Sequence, residues 1–413
     1  MLTPGQKNHP GRTGQTAAAG WPALPPGLWR QVAEGRPDPS VLRLLRAARA
    51  SRNLLLLRAL HQRRRGAAAW DAIVAVLADV RRHDQEAFSA WAADPATGAR
   101  LAHAVREGDG GVAEAAAAAA HRARRPFRLS VGVRNGTVAL PGLGWAELAG
   151  DPAEACVERV PGGGTVVCAG SVRVRVPDRL GSPAPRWEPL PRLFLRAHGR
   201  RLSVRLETAD PLRLGAPALP PAPCGAAARE GWRRRLGEAW RILAARHPAQ
   251  AAAVAGTVTA LVPLHAESAA GSRHRDWLSA SFADAPGLLA LAPLAAPASL
   301  AAALVHETQH STLYALADCA TLLDAEPGSR VPAPWSAEPR PPHALLQGAA
   351  AFLVTALFWH GESLHGNSGA REEFERWRRT AREAVATLAG SPWPTADGRR
   401  LINAMADVLS SWE

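Results

Sequence analysis

Residues Leu300 to Leu323 form an apolar run with no proline and no glycine. A run of that length and make-up points to a buried helix. Inside it stands Leu304-Val305-His306-Glu307-Thr308-Gln309-His310. Helical residues four apart lie one turn above the other on the same face. His306 and His310 can therefore present both imidazoles to a single metal ion, with Glu307 beside them. Chance alone would place this H-E-x-x-H spacing in about 2 of 100 chains of this histidine content. Its coincidence with a helical run makes a metal site the leading reading. Ser299 is placed to cap the helix.

The 413 residues are enough to bury a large core. The net charge of +13 is almost all arginine, since Lys7 is the single lysine. No aromatic ladder or zinc-finger spacing accompanies it, so the charge reads as a solvated arginine-rich surface and not as a nucleic-acid site. Cys156, Cys168, Cys224 and Cys319 form no C-x-x-C pair. Together with the absence of a secretory leader, this predicts reduced structural thiols in a cytoplasmic protein. No charge-free apolar run long enough to span a bilayer stands out from the Ala-rich stretches, so no membrane partner is expected.

Periodicity predicts an α+β fold, predominantly helical. It has a helical N-terminal half, a small antiparallel β section and a C-terminal helical domain that carries the metal site. Residues 1–25 read as a loose polar arm and 26–125 as helices with leucine and tryptophan stripes. Residues 126–222 form the β-rich section, where Phe127, Leu129, Val131 and Val133 alternate with polar residues. Asn135-Gly136 then makes a hairpin turn, because both residues tolerate positive φ. From 223 to 413 the chain is helical again. Gln250 to Val262 is read as one helix ending at Pro263, and Pro332 to Pro342 as an extended connection. The next helix starts near His343, and its Gln347 shares a face with that histidine.

Neither common version of the zinc peptidase fits this motif. The metzincin pattern needs Gly and His three and six residues after His310, where Leu313 and Leu316 stand. The Glu-ligand pattern needs a glutamate on a following helix, but an extended proline-rich segment follows instead. Other stretches carry a resemblance. They are Ser281-Phe282-x-Asp284-Ala285-Pro286-Gly287, the histidine motif through Ser311 and Leu313, Ala333-Pro334-Trp335-x-x-x-Pro339-Arg340-Pro341, and Leu346-Gln347-Gly348-x-x-Ala351-Phe352. In order and spacing they resemble the bacterial H-E-x-x-H-type peptide β-hydroxylases. That family takes part in biosynthesis of ribosomally made, post-translationally modified peptides.

The resemblance implies a non-haem Fe(II) centre using 2-oxoglutarate and O2 on a precursor peptide. It gives His306 and His310 as metal ligands, with Gln347 as the third and His343 as the alternative. Glu307 is the candidate catalytic residue. It could also orient a ligand, bind the iron or hold the peptide. Arg340 is the first candidate to grip the distal carboxylate of 2-oxoglutarate, since a guanidinium fork matches a carboxylate. Arg273 and Arg275 come next. His360 and His365 read as surface residues. Two other functions are weighed beside the hydroxylase: a zinc peptidase trimming a peptide, and a non-catalytic peptide-binding partner with a degenerate site.

Overall fold

The computed structural model describes residues 24–25, 27–108, 111–150, 152–208, 225–265, 279–294 and 296–412. Most of the expected N-terminal arm, together with Cys224, Arg273 and Arg275, lies outside these residues. Among the described residues, twelve helices and several small sheets make the fold α+β and predominantly helical, as expected.

The chain opens with α1 (Leu28–Ala33), α2 (Pro39–Arg64), α3 (Ala68–His83), α4 (Gln85–Ala92), α5 (Pro95–Glu107) and α6 (Val112–Arg122). Asp38, Asp84 and Asp94 accept backbone N–H groups at the starts of α2, α4 and α5, satisfying donors that a helix leaves open. Ala115 to Ala120 of α6 are all buried. Their small side chains suit a helix that touches other helices and a sheet at once.

That sheet contains β1 (Phe127–Gly132), β4 (Glu154–Arg159), β5 (Thr165–Ala169) and β6 (Val172–Val176), all antiparallel in the order β1-β4-β5-β6. Leu129, Val157, Val167 and Val174 form one buried row across it. They join Trp70, Leu77 and Trp91 in the core of the N-terminal half. Between β1 and β4 come β2 (Thr137–Leu140) and β3 (Gly144–Glu147), which form a three-stranded sheet with β7 (Trp187–Pro189). Asn135 and Gly136 make the turn into β2 with φ of 53° and 66°.

The next strands, β8 (Arg192–Ala197) and β9 (Arg200–Leu206), cross into the second half. They pair in a five-stranded sheet with β10 (Ala260–Pro263), β11 (Ser279–Ser281) and β12 (Leu288–Leu291), in the order β11-β12-β10-β9-β8. Pairs β9–β10 and β10–β12 are parallel, and β11 is an antiparallel edge. Among the described residues of 126–222 every strand pairing is antiparallel, as expected. The parallel pairs come from β10 and β12, in the region read as helical, and correct that expectation. The segment read as one helix from Gln250 to Val262 divides into α8 (Pro248–Thr257), which follows α7 (Ala226–Arg246), and the strand β10. The reason is burial: every residue of β10 and β12 is buried, and strands covered on both faces lack the alternation that identifies them.

Helix α9 (Pro297–Ala317) carries the histidine motif and is buried along nearly its whole length. Its N-cap is Ala296, with Pro297 in the first turn, so Ser299 lies inside the helix and does not cap it. The proline-rich connection is a hairpin of β13 (Val331–Ala333) and β14 (Ser336–Arg340). Trp335 at its turn lies against Gly348, where any Cβ would collide with the indole. Gly348 belongs to α10 (Pro342–Leu364), which packs on α9 and on α11 (Ala370–Ala389); α12 (Ala396–Ser410) closes the chain. Among the described residues α10 alone is long and apolar enough to cross a bilayer, but 72% of its most apolar stretch is buried inside the protein.

Candidate metal centre

The 3.6-residue period of α9 puts His306 and His310 on one side, and the two rings meet edge to face with centroids 4.8 Å apart. Their Nε2 atoms face each other at 3.2 Å. The partners of the other ring nitrogens decide what this contact means. His310 Nδ1 lies 3.0 Å from Gln347 Oε1, and an amide oxygen can only accept. His306 Nδ1 lies 3.2 Å from Thr355 Oγ1. The Thr355 hydroxyl donates its proton to Ala351 O at 2.7 Å, so its oxygen accepts from the ring. With hydrogen on both Nδ1 atoms, the two Nε2 atoms present lone pairs to the same point.

Two acceptors that close repel each other unless a cation lies between them. A divalent ion about 2.1 Å from each imidazole nitrogen, at an angle of roughly 100°, would hold the nitrogens about 3.2 Å apart. The pair therefore fits a metal ion. Burial, and then His310, push the His306 pKa well below its ordinary value, so His306 keeps the neutral form that binds metal. Phe352 and Trp377, stacked on each other with centroids 5.0 Å apart, form an apolar wall beside His306.

Glu307 is only 3% exposed. Ser279 on the edge strand β11 donates to its Oε1 at 2.6 Å. Its Oε2 is buried with no hydrogen-bond partner among the described residues. One oxygen is fixed, then, and the other meets no partner among the described residues. Among the described residues, no group of three or more His, Cys, Asp or Glu side chains is gathered as a metal cage. Among the described residues, the donors that converge here are the two imidazoles.

Gln347, expected as the third ligand, instead contacts the far nitrogen of His310, a position from which it would orient that ring. A group hydrogen-bonded to the second nitrogen of a metal-bound histidine fixes its tautomer and ring angle. His343 is exposed on the first turn of α10, and Arg340 is half-buried at the end of β14, two residues before that helix. His360 is not a surface residue: it is half-buried against Phe374 and Trp412. His365 is exposed.

Three site residues were missed in the sequence. Thr355 lies eight residues after Gln347, which is the same face of α10 two turns on; that spacing was a usable signal. Tyr314, the one tyrosine of the chain, follows His310 by a turn with ring centroids 6.5 Å apart. Burial, then Glu307 and Asp284, push its phenol up to about 12. Ser279 gave no signal, because its part depends on where β11 falls.

The Ser281-to-Gly287 stretch serves as a clamp beside the centre. Asp284 pairs with Arg52 of α2 at 2.5 Å and Arg106 of α5 at 2.8 Å. Arg49 donates to Pro286 O, and Gly287 N donates to Ser311 Oγ on α9 at 3.1 Å. The N-terminal helices thereby fix the turn that precedes β12.

No protein-family model matches the chain, and no curated protein matches it.

Proposed function

We propose that this chain is an Fe(II)- and 2-oxoglutarate-dependent dioxygenase that hydroxylates a side-chain β-carbon of a ribosomally made precursor peptide in the cytoplasm. What carries the metal reading is the pair of Nε2 lone pairs 3.2 Å apart. The choice of iron, of 2-oxoglutarate and of a peptide substrate rests on the resemblance of residues 281–359 to the peptide β-hydroxylases. When bound, Fe(II) with 2-oxoglutarate and O2 supplies the oxidising power for C–H hydroxylation.

The chain's own residues do the rest. His306 and His310 hold the ion, and Thr355 and Gln347 keep both rings in the right tautomer. Phe352 and Trp377 exclude water on one side. Ser279 holds Glu307 so that Oε2 can accept a hydrogen bond from the peptide or a water. Tyr314, protonated at neutral pH, can donate a hydrogen bond at the same mouth. Arg340 is proposed to bind the distal carboxylate of 2-oxoglutarate.

A zinc peptidase is the second reading. The open oxygen of Glu307 favours it, since that oxygen could take a proton from water. Two measurements decide. Under anaerobic conditions, Fe(II) and 2-oxoglutarate should give the wild-type protein a weak visible charge-transfer band that His306→Ala abolishes. A co-expressed precursor should gain one oxygen atom by mass spectrometry, and only in air. Peptide cleavage indifferent to O2 would establish the peptidase instead. Arg340→Ala should weaken 2-oxoglutarate binding with the fold retained; unchanged affinity would move the clamp elsewhere.

A further inference from the structure

A second pair of reactive side chains lies far from the histidines in sequence, on the four-stranded sheet of the N-terminal half. Cys156 of β4 and Cys168 of β5 are direct cross-strand partners. They belong to one transverse row, Ser130–Cys156–Cys168–Arg173. The adjacent row is the buried one of Leu129, Val157, Val167 and Val174, so the cysteine row lies on the opposite, open face. Both thiols are free and half-buried. Opposed residues on antiparallel strands have Cα atoms about 4.5–5.5 Å apart, within the range of about 4.4–6.8 Å that a disulfide spans. That spacing is compatible with a disulfide between them.

The surroundings differ between the two. Arg173 donates to Cys168 Sγ at 2.7 Å. Burial pushes the Cys156 thiol up. Glu158 Oε1 lies 4.0 Å from the same Cys168 sulfur. We take Cys168, which Arg173 contacts, as the attacking sulfur and Cys156 as the one that closes the bond. The β4–β5 turn contains Gly162, Gly163 and Gly164, which leave this hairpin the conformational freedom that a cross-link would remove.

We propose that Cys156 and Cys168 form a dithiol site for exchange with low-molecular-weight disulfides. Cys168 thiolate attacks one sulfur of the small disulfide and expels one thiolate. Cys156, losing its proton, then attacks Cys168 sulfur in the mixed disulfide and expels the second. The two cysteines are oxidised by two electrons, and the small disulfide is reduced to two thiols that take up the two protons. The product ties the glycine-rich hairpin shut.

The test equilibrates the folded full-length chain with oxidised glutathione, alkylates the remaining thiols and maps the peptides by mass. The expected result is a Cys156–Cys168 cross-linked peptide about 2 Da lighter than its reduced parts, with Cys319 still alkylatable. In Cys156→Ser, Cys168 should instead retain glutathione. As a second measurement, phenylarsine oxide needs two adjacent thiols, so wild-type protein should bind one more equivalent than either serine variant. Separate glutathione adducts on both cysteines, full alkylation of both, or equal arsenical binding by wild type and Cys156→Ser would each overturn the proposal.

Discussion

The smallest unit that explains the centre is a ring nitrogen and its hydrogen. Thr355 spends its proton on Ala351 O, and Gln347 offers an oxygen. These two facts turn both histidines so that their lone pairs converge. If Gln347 orients His310 without binding metal, Gln347→Leu should lower metal affinity by about 10–100-fold and still allow loading. His310→Ala should prevent loading. A competition titration against a chelator of known affinity distinguishes them; equal, complete loss in both variants would restore Gln347 as a ligand. Tyr314→Phe keeps the ring and removes the hydroxyl, so turnover should fall with metal content unchanged. An unaltered rate of peptide modification would remove Tyr314 from the site.

At the level of elements, the centre is where α9, α10 and the β11–β12 turn meet. Gly287 shows how tight the junction is. Its φ is +95°, and a Cβ there would collide with Thr257 O and Arg49 Nη1. Gly287→Ala should cost about 1–3 kcal/mol from the backbone conformation alone, and more from the collision. Chemical denaturation would measure it, and a loss under about 0.5 kcal/mol would mean that the turn relaxes freely. Elements differ in how far they could be read in advance. Helix α9 was legible because its apolar run has no breaker. The turn at Asn135-Gly136 was legible because both residues tolerate positive φ, but the hairpin expected around it does not form: β1 pairs with β4 and β2 with β3, in different sheets. Strands β10 and β12 were not legible, since four buried apolar residues look alike in a strand or a helix. The pairing of Gln347 with His310 and Thr355 with His306 was illegible for another reason. Spacing puts Thr355 and Gln347 on one face of α10, but which histidine each meets depends on how α10 packs on α9.

Across the whole molecule, buried ion pairs tie distant segments together. Arg205 of β9 binds Asp94, the cap of α5, through two hydrogen bonds of 2.7 and 2.9 Å. It also reaches Glu207 at 3.2 Å. This joins the N-terminal helices to the sheet beside the candidate centre. Removing one member of such a pair leaves a buried charge, so Asp94→Ala should destabilise by roughly 3–5 kcal/mol. Glu362 holds His247, Arg246 and Asn367, each at 2.9 Å, and so fastens α10 to the end of α7.

Both carboxylates are largely buried, which by itself would raise their pKa. Arg205 overcomes this for Asp94 and His247, Asn367 and Arg246 overcome it for Glu362, and each acid falls to about 2. A lowered folded pKa means that the unfolded chain binds protons first as the pH drops. Their stabilisation is therefore complete above the ordinary carboxylate range, near pH 4.5, and is lost as pH falls toward 2. Thermal melts across that window should show a steep loss that flattens in Glu362→Gln. An identical slope in the variant would show that Glu362 does not contribute to it.

The account depends most on one ion shared by two imidazoles. Metal content measured after anaerobic reconstitution with Fe(II) and removal of loosely held ions tests this directly. The wild-type chain should retain one equivalent, and the His306→Ala/His310→Ala double variant none. Retention of the same amount by both, or of none by a folded wild-type protein, would contradict it.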